Sequence, residues 1–309
     1  MKKLIKPQHL ERGDTIGIVA PASSFDKDNF KSGLKFLRKI GYRVRYEHAI
    51  FNKCWSEPGH NKQRAAQINR MFLDPEVKAI LCAKGGYGST EIIPYLDHEI
   101  IRNNPKIFVG YSDITILLLY LQKIANMVVF HGPVVSDEIY EGMNAVTIDY
   151  LLRAVSQTTP LGHIMFPQLI SFKPGKASGT LVGGNISLII EAFDTPYDLD
   201  TKNTILFLED VDESIDVLRD YFQQLQQKGK FENIKGLLLG EMTGCFEERE
   251  HLRELVTAIF KNHDIPILFG FPSGHTKKRG EPHITLPLGV GVTIDADNSL
   301  LVIKESGVN

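Results

Sequence analysis

Apolar and polar positions along this 309-residue chain follow two rhythms. In the first half, short β-branched runs alternate with stretches of helical spacing. Thr15 to Ala20 (TIGIVA) predicts a strand, closed by Pro21-Ala22-Ser23-Ser24 before a helix from about Asp28 to Ile40. Gly41 stops that helix, and Tyr42 to Tyr46 (YRVRY) alternates as a second strand. A helix is expected around Lys62 to Met71, then a strand Ala79 to Ala83 running into Lys84-Gly85-Gly86-Tyr87-Gly88-Ser89, then a helix Thr90 to Tyr95. Lys106 to Gly110 (KIFVG) reads as a strand meeting Tyr111-Ser112-Asp113, followed by a long helix from Ile114 to about Ile124. A short strand Met127 to Phe130 and a helix near Ala145 to Ala154 close this half. Such a βαβ rhythm predicts a mostly parallel sheet with covering helices. From about Phe172 the pattern shifts to short β-type runs, with fewer helices: Asn185 to Ala192, Ser214 to Gln227 and Glu248 to Lys261.

Composition narrows the class. With 43% apolar and 23% charged residues, the chain is neither a disordered tail nor a fibrous repeat, and its length is near the point where single cores stop growing. Two domains are expected, an α/β domain over 1–165 and a β-rich one over 166–309. The 35 basic and 37 acidic residues give a net charge of -2, which argues against a broad nucleic-acid surface. Cys54, Cys82 and Cys245 are odd in number and far apart, forming neither a disulfide framework nor a zinc cluster, and no HExxH or CxxC pattern appears. Neither a metal nor a cofactor is expected. The basic start MKKLIKPQHLERGD leads into no apolar stretch, and the most apolar region, Ile107 to Phe130, is interrupted by Asp113, Gln122, Lys123 and Asn126. A cytoplasmic protein without a membrane span is the expectation.

Ser112 stands out because a strand-to-helix turn exposes a nucleophile and sets it beside free backbone N–H groups. GYSD has the glycine two before the serine, but Ile114 occupies the place of the elbow's second glycine, and Ser112 or Asp113 capping the helix remains open. The glycine run Lys84 to Gly88 matches neither a P-loop nor GxGxxG; it is either a plain tight turn or one whose N–H groups approach an oxyanion. Glu209 lies just past the apolar run Ile205 to Leu208, where an acid can orient an imidazole. His275 in FPSGHT sits in a loop where a base could be held, with His131 and His283 as rivals.

In order along the chain, IVAPAS (18–23), DPEVKAILCAKGGYGS (74–89), VGYSDITILL (109–118), HGP (131–133), GTLVGGNISLI (179–189), DTPYD (194–198), ILFLEDVDE (205–213), GHT (274–276) and LPLG (286–289) resemble the LD-carboxypeptidase family of serine peptidases, which also holds the microcin-C immunity peptidases. The resemblance implies an N-terminal flavodoxin-like or Rossmann-like parallel sheet and a C-terminal β-rich, barrel-like domain. It places the nucleophile at Ser112, the acid at Glu209 and the base at His275, with oxyanion N–H groups from Gly86 and Asp113 and substrate contacts at Lys84 and Gly85. It implies cleavage, through an acyl-enzyme, of the amide between an L-configured diamino acid and a terminal D-alanine in a muropeptide, by a homodimer needing no cofactor, membrane or nucleic acid.

Two departures accompany it. Lys84 stands where the family usually has arginine, keeping the charge but not the bidentate fork, and Lys277 to Glu281 (KKRGE) adds charge after His275. A microcin-C-type peptidase, acting on an aminoacyl-nucleotide analogue, is the near alternative. It would need an aromatic platform, and the sole tryptophan, Trp55, lies in a polar segment where a plain loop role is the simpler reading. A non-catalytic peptide- or sugar-binding protein is the distant alternative.

Overall fold

A computed structural model describes residues 4–52, 55–140, 143–276 and 280–309; Cys54 and the Lys277 to Arg279 part of the charged run lie outside them. Two sheets organise the chain. The first contains β1 (Thr15–Val19), β2 (Arg43–Arg45), β3 (Val77–Cys82), β4 (Ile107–Gly110) and β5 (Val129–His131), all parallel, in the order β5-β4-β3-β1-β2. That is the flavodoxin-like order, which reverses between β1 and β3, and ligands of such sheets sit outside the carboxyl ends of the strands. The loops leaving β1, β3, β4 and β5 there begin at Ala20, Ala83, Tyr111 and Gly132.

The second sheet takes β6 (Gly162–Ile164), β7 (Ile170–Lys173), β8 (Lys176–Asn185), β9 (Thr204–Val211), β10 (Gly236–Thr243) and β11 (Ile267–Phe269). The segment β12 (Leu286–Leu288) leaves it and pairs antiparallel with β5, at the edge of the first sheet. The expected division at 165/166 is thus crossed by one strand. β13 (Gly291–Asp295) and β14 (Leu300–Ile303) complete the second sheet, in the order β6-β14-β13-β8-β9-β10-β11-β7. Its centre, β8 to β11, is parallel, and its flanks are antiparallel. The helices between those central strands make the second half an α/β crossover unit too. The unbroken run TILFL, buried throughout, is the signature of a parallel strand covered on both faces.

The helices are α1 (Lys27–Lys39), α2 (Asn61–Leu73), α3 (His98–Asn103), α4 (Thr115–Lys123), α5 (Ala145–Ser156), α6 (Ile186–Glu191), α7 (Ile215–Gln227) and α8 (Arg249–Ile259). The expected helix Thr90 to Tyr95 is a 3₁₀ segment, with Pro94 inside it unable to donate to an α-helical ladder. Trp55 is packed into the core at 3% exposure, and its Nε1–H donates to the Ala20 carbonyl. No helix among the described residues is long and apolar enough to cross a membrane.

Candidate active site

Ser112 owes its position to backbone geometry. β4 ends at Gly110, Tyr111 is extended, and Ser112 turns into the left-handed region at φ 63 before a 3₁₀ turn leads into α4. A non-glycine residue pays about 1 kcal/mol for that conformation, and such strain clusters at functional sites. The Ile114 N–H donates to the Tyr111 carbonyl and fixes the turn. Ser112 Oγ lies 2.9 Å from His275 Nε2.

The glycine turn after β3 closes against this serine. A Cβ on Gly85 would sit 2.9 Å from Ser112 Cβ and 3.2 Å from its Oγ, so only a glycine lets the two segments approach as they do. Gly86 has φ 109, and a Cβ there would strike Ser23 Oγ at 2.4 Å. Ser23 Oγ in turn accepts from the Tyr87 N–H at 3.0 Å, tying the β1 loop to the β3 loop across the switch point. Among the described residues, neither the Gly86 nor the Asp113 N–H donates to another segment. The Asp113 side chain is buried and accepts from the Ser89 N–H at 3.0 Å, so it braces the turn. Lys84 is half-buried and makes no ion pair with a described residue; Tyr87 is 71% exposed.

Glu209 extends from β9 and is fully buried. His275 follows Gly274, whose φ of 112 turns the loop after β11, and the Thr243 hydroxyl donates to the His275 carbonyl. His275 Nδ1 donates to Glu209 Oε2 at 2.8 Å, and the His275 N–H reaches the same oxygen at 3.3 Å. With its proton on Nδ1, the ring presents the Nε2 lone pair to Ser112. Burial by itself would raise the Glu209 pKa, but the charge and hydrogen bond of His275, with His131 adding to them from nearby, outweigh it and hold the carboxyl far below its usual range. For His275 burial pulls down, and Glu209, with Asp210 and Glu138 further off, pulls harder, leaving its pKa above the ordinary 6.5. A nucleophile, a base in reach of it and a buried acid orienting that base are the parts an acyl-transfer site requires.

Several groups around this line were weakly signalled or not signalled by the sequence. The rivals His131 and His283 are present but fully buried, unlike His275 with its 19% exposed side chain. Burial first, then the neighbouring imidazoles of His131 and His275, pushes His283 well below 6.5, so it stays neutral. The Tyr111 ring packs against His275 at 5.0 Å and edge-on to His283 at 4.7 Å, and its hydroxyl donates to Glu138. Burial pushes the Glu138 carboxyl up to about 7. None of these forms a sequence motif with the serine; only the clustering of HGP with the sheet edge hints at His131.

A cavity of about 280 Å³ opens beside Thr276, walled by Asp137, Glu138, Asn144 and Glu281 among others. A larger one of about 430 Å³, reached by Lys6, Gln122 and Glu305, has none of the residues above in its lining. Among the described residues no group of three or more His, Cys, Asp or Glu side chains could hold a metal ion, and Cys82 and Cys245 are free thiols buried in the core.

Residues 16–132 match the family model described as the LD-carboxypeptidase N-terminal domain, and residues 178–294 match the LD-carboxypeptidase C-terminal domain. A Bacillus subtilis (strain 168) protein named as a probable murein peptide carboxypeptidase is 34% identical, across 98% of this chain and 95% of its own. The microcin C7 self-immunity protein MccF of Escherichia coli is 29% identical, across 95% of this chain and 94% of its own. A solved structure of an MccF-like protein from Bacillus anthracis superposes with a TM-score of 0.90 at 28% identity, covering 97% of this chain and 99% of that one.

Proposed function

The chain belongs to the LD-carboxypeptidase family of serine peptidases, and from that premise we propose that it hydrolyses an amide of a small peptide-like substrate through an acyl-enzyme on Ser112. The observation that carries this reading is the hydrogen-bonded line from Glu209 through His275 to Ser112, 2.8 and 2.9 Å per step. In the proposed sequence, His275 Nε2 takes the Ser112 hydroxyl proton as Oγ attacks the carbonyl. The N–H groups of Gly86 and Asp113 stabilise the oxyanion. His275 returns the proton to the leaving nitrogen, the C–N bond breaks, and Ser112 keeps the acyl group as an ester. Water then gives its proton to Nε2 and attacks the ester, and the protonated His275 restores the Ser112 hydroxyl as the acid leaves. Glu209 stays ionised throughout and stabilises the imidazolium.

For the substrate, the comparisons taken together favour the microcin-C type, cleavage of an acyl or peptidyl amide of an aminoacyl-nucleotide analogue, since MccF and an MccF-like structure match along nearly the whole chain. Trp55, buried in the core, supplies no platform for a base; the exposed Tyr87 ring, next to Gly86, takes that part. The second reading, removal of D-alanine from a cytoplasmic murein tetrapeptide by a homodimer, is favoured by the 34% identical relative. The carboxylates walling the cavity beside Thr276 suit the amino group that both substrates carry, and Lys84 suits a substrate carboxylate.

Purified protein given a tetrapeptide ending in D-alanine and a processed microcin-C analogue, side by side, decides between them. One is turned over by the native chain, and Ser112→Ala, though folded, loses that turnover by a factor on the order of 10⁵ or more. Native-level turnover in the Ala variant would overturn the assignment of the nucleophile.

A further inference from the structure

Glu209 has a second oxygen that the proposed chemistry leaves idle. Oε2 takes both His275 donors, while Oε1 is buried with no hydrogen bond. Facing Oε1 at 3.8 Å is Nε2 of His131, and that nitrogen is equally buried and equally without a hydrogen bond. Both side chains are 0% exposed. They come from different sheets, His131 at the end of β5 and Glu209 on β9. The far nitrogen of His131, Nδ1, lies 3.1 Å from Ser273 Oγ, in the segment that leads to His275. Two buried polar atoms of opposite character, unpartnered and facing each other across two sheets, call for a reason beyond packing.

We infer that His131 is a positioning residue for the acid: its Nε2–H holds Glu209 Oε1, Ser273 fixes that tautomer by donating to Nδ1, and Glu209 is thereby clamped between two imidazoles. The inference rests on Glu209 being the acid of the proposed site. At 3.8 Å the pair is an electrostatic contact, and a movement of less than about 1 Å by either side chain completes the hydrogen bond. Asp210 neighbours Glu209 and is itself held by Asn185, Ser187 and Val211. Glu138 and Tyr111 flank His275. His283, neutral, and the Tyr111 ring each lie 5.9 Å from the His131 ring.

Because the carboxylate serves two rings, removing one changes the other. Without the His131 donor, Oε1 keeps a buried charge with nothing to offset it, so the Glu209–His275 pair takes up a proton more readily and its midpoint rises. A purely structural role for His131 would lower stability and leave that midpoint alone.

The test is an NMR titration of the His275 imidazole in the full chain, its signal assigned by its loss in His275→Gln. In His131→Phe the midpoint should rise by about one pH unit, and His131→Gln, whose amide can reach Oε1, should bring it most of the way back. In the turnover assay, kcat of the Phe variant should fall about tenfold or more with KM little changed. An unmoved midpoint in a folded Phe variant overturns the inference. Should Phe prevent folding, Ser273→Ala carries the test, with a smaller rise in the same direction expected and an unmoved midpoint overturning the clamp. Since the titration needs no substrate, a protein that titrates as expected yet hydrolyses neither test compound would unseat the proposed activity and not the clamp.

Discussion

Ser112 and Glu209 stand near the ends of two strands in two sheets, and the fold places them by opposite means. Ser112 is set by its own backbone, a left-handed residue in a turn, partly open to solvent. Glu209 has ordinary strand geometry in register with Asn185, and everything special about it comes from what surrounds it. The nucleophile is therefore a local construction, and the acid a tertiary one. Local strain makes a group accessible and aims it. The surrounding partners set the charge of Glu209: the pull of His275 outweighs the burial that alone would raise the carboxyl, and holds it far below its usual range.

The contrast can be broken most severely at the acid. Glu209→Gln keeps shape and volume but loses the charge that orients His275, and kcat should drop on the order of 10³ to 10⁴-fold with the fold intact; a drop below tenfold in a steady-state assay would mean that the acid is not needed. Gly85→Ala tests the local side. The new Cβ would crowd Ser112 Cβ and Oγ at 2.9 and 3.2 Å, and a displaced nucleophile should lose about 10²-fold in kcat with little change in the urea midpoint.

The pH response comes next in size. His275 must be neutral to accept the serine proton, and its pKa is raised, so the acid limb of kcat/KM should have its midpoint above 6.5. The two partners contribute to stability with opposite signs. The part due to His275 is full below its ordinary value and is lost as pH rises through the raised one. The part due to Glu209 is present above the usual carboxylate value of about 4.3 and is lost as pH falls through the depressed one. Urea midpoints measured against pH should show the Glu209 loss in the native chain and not in Glu209→Gln; identical acid profiles would show that its partners do not stabilise its charge. The smallest effect concerns strain. Ser112→Gly should be more stable than Ser112→Ala by about 1 kcal/mol, since only glycine accepts φ 63 freely, and equal urea midpoints would show that no strain is stored there.

The same division explains what the sequence could reveal. The Ser112 junction was legible because strand, glycine, turn and helix are contiguous, and Glu209 because it ends an apolar run. The parallel order of the first sheet followed from βαβ spacing. The β-rich character of the second half is legible in its short runs and is seen in its eight-stranded sheet; the alternation of α6, α7 and α8 with its parallel centre is not legible, because those runs are short and heterogeneous. Trp55 shows the limit of local polarity, since its polar neighbours say nothing of the core pocket behind Ala20. The contact between His131 and Glu209 joins two sheets and has no sequence period to announce it.

The crossing of β12 into the first sheet has a consequence for how the molecule is made. As the chain emerges from the ribosome, β5 is complete but its outer edge, which carries His131, has no partner until Leu286–Leu288 has been synthesised. An unpaired edge strand invites pairing with other chains. The newborn first half is therefore a client for whatever shields exposed edges, and the Ser112 and His131 side of the site reaches its mature form only as the last strands arrive. Protease sensitivity near residues 125–135 in stalled nascent chains, vanishing on release of the full chain, is the physical trace such an order of assembly leaves.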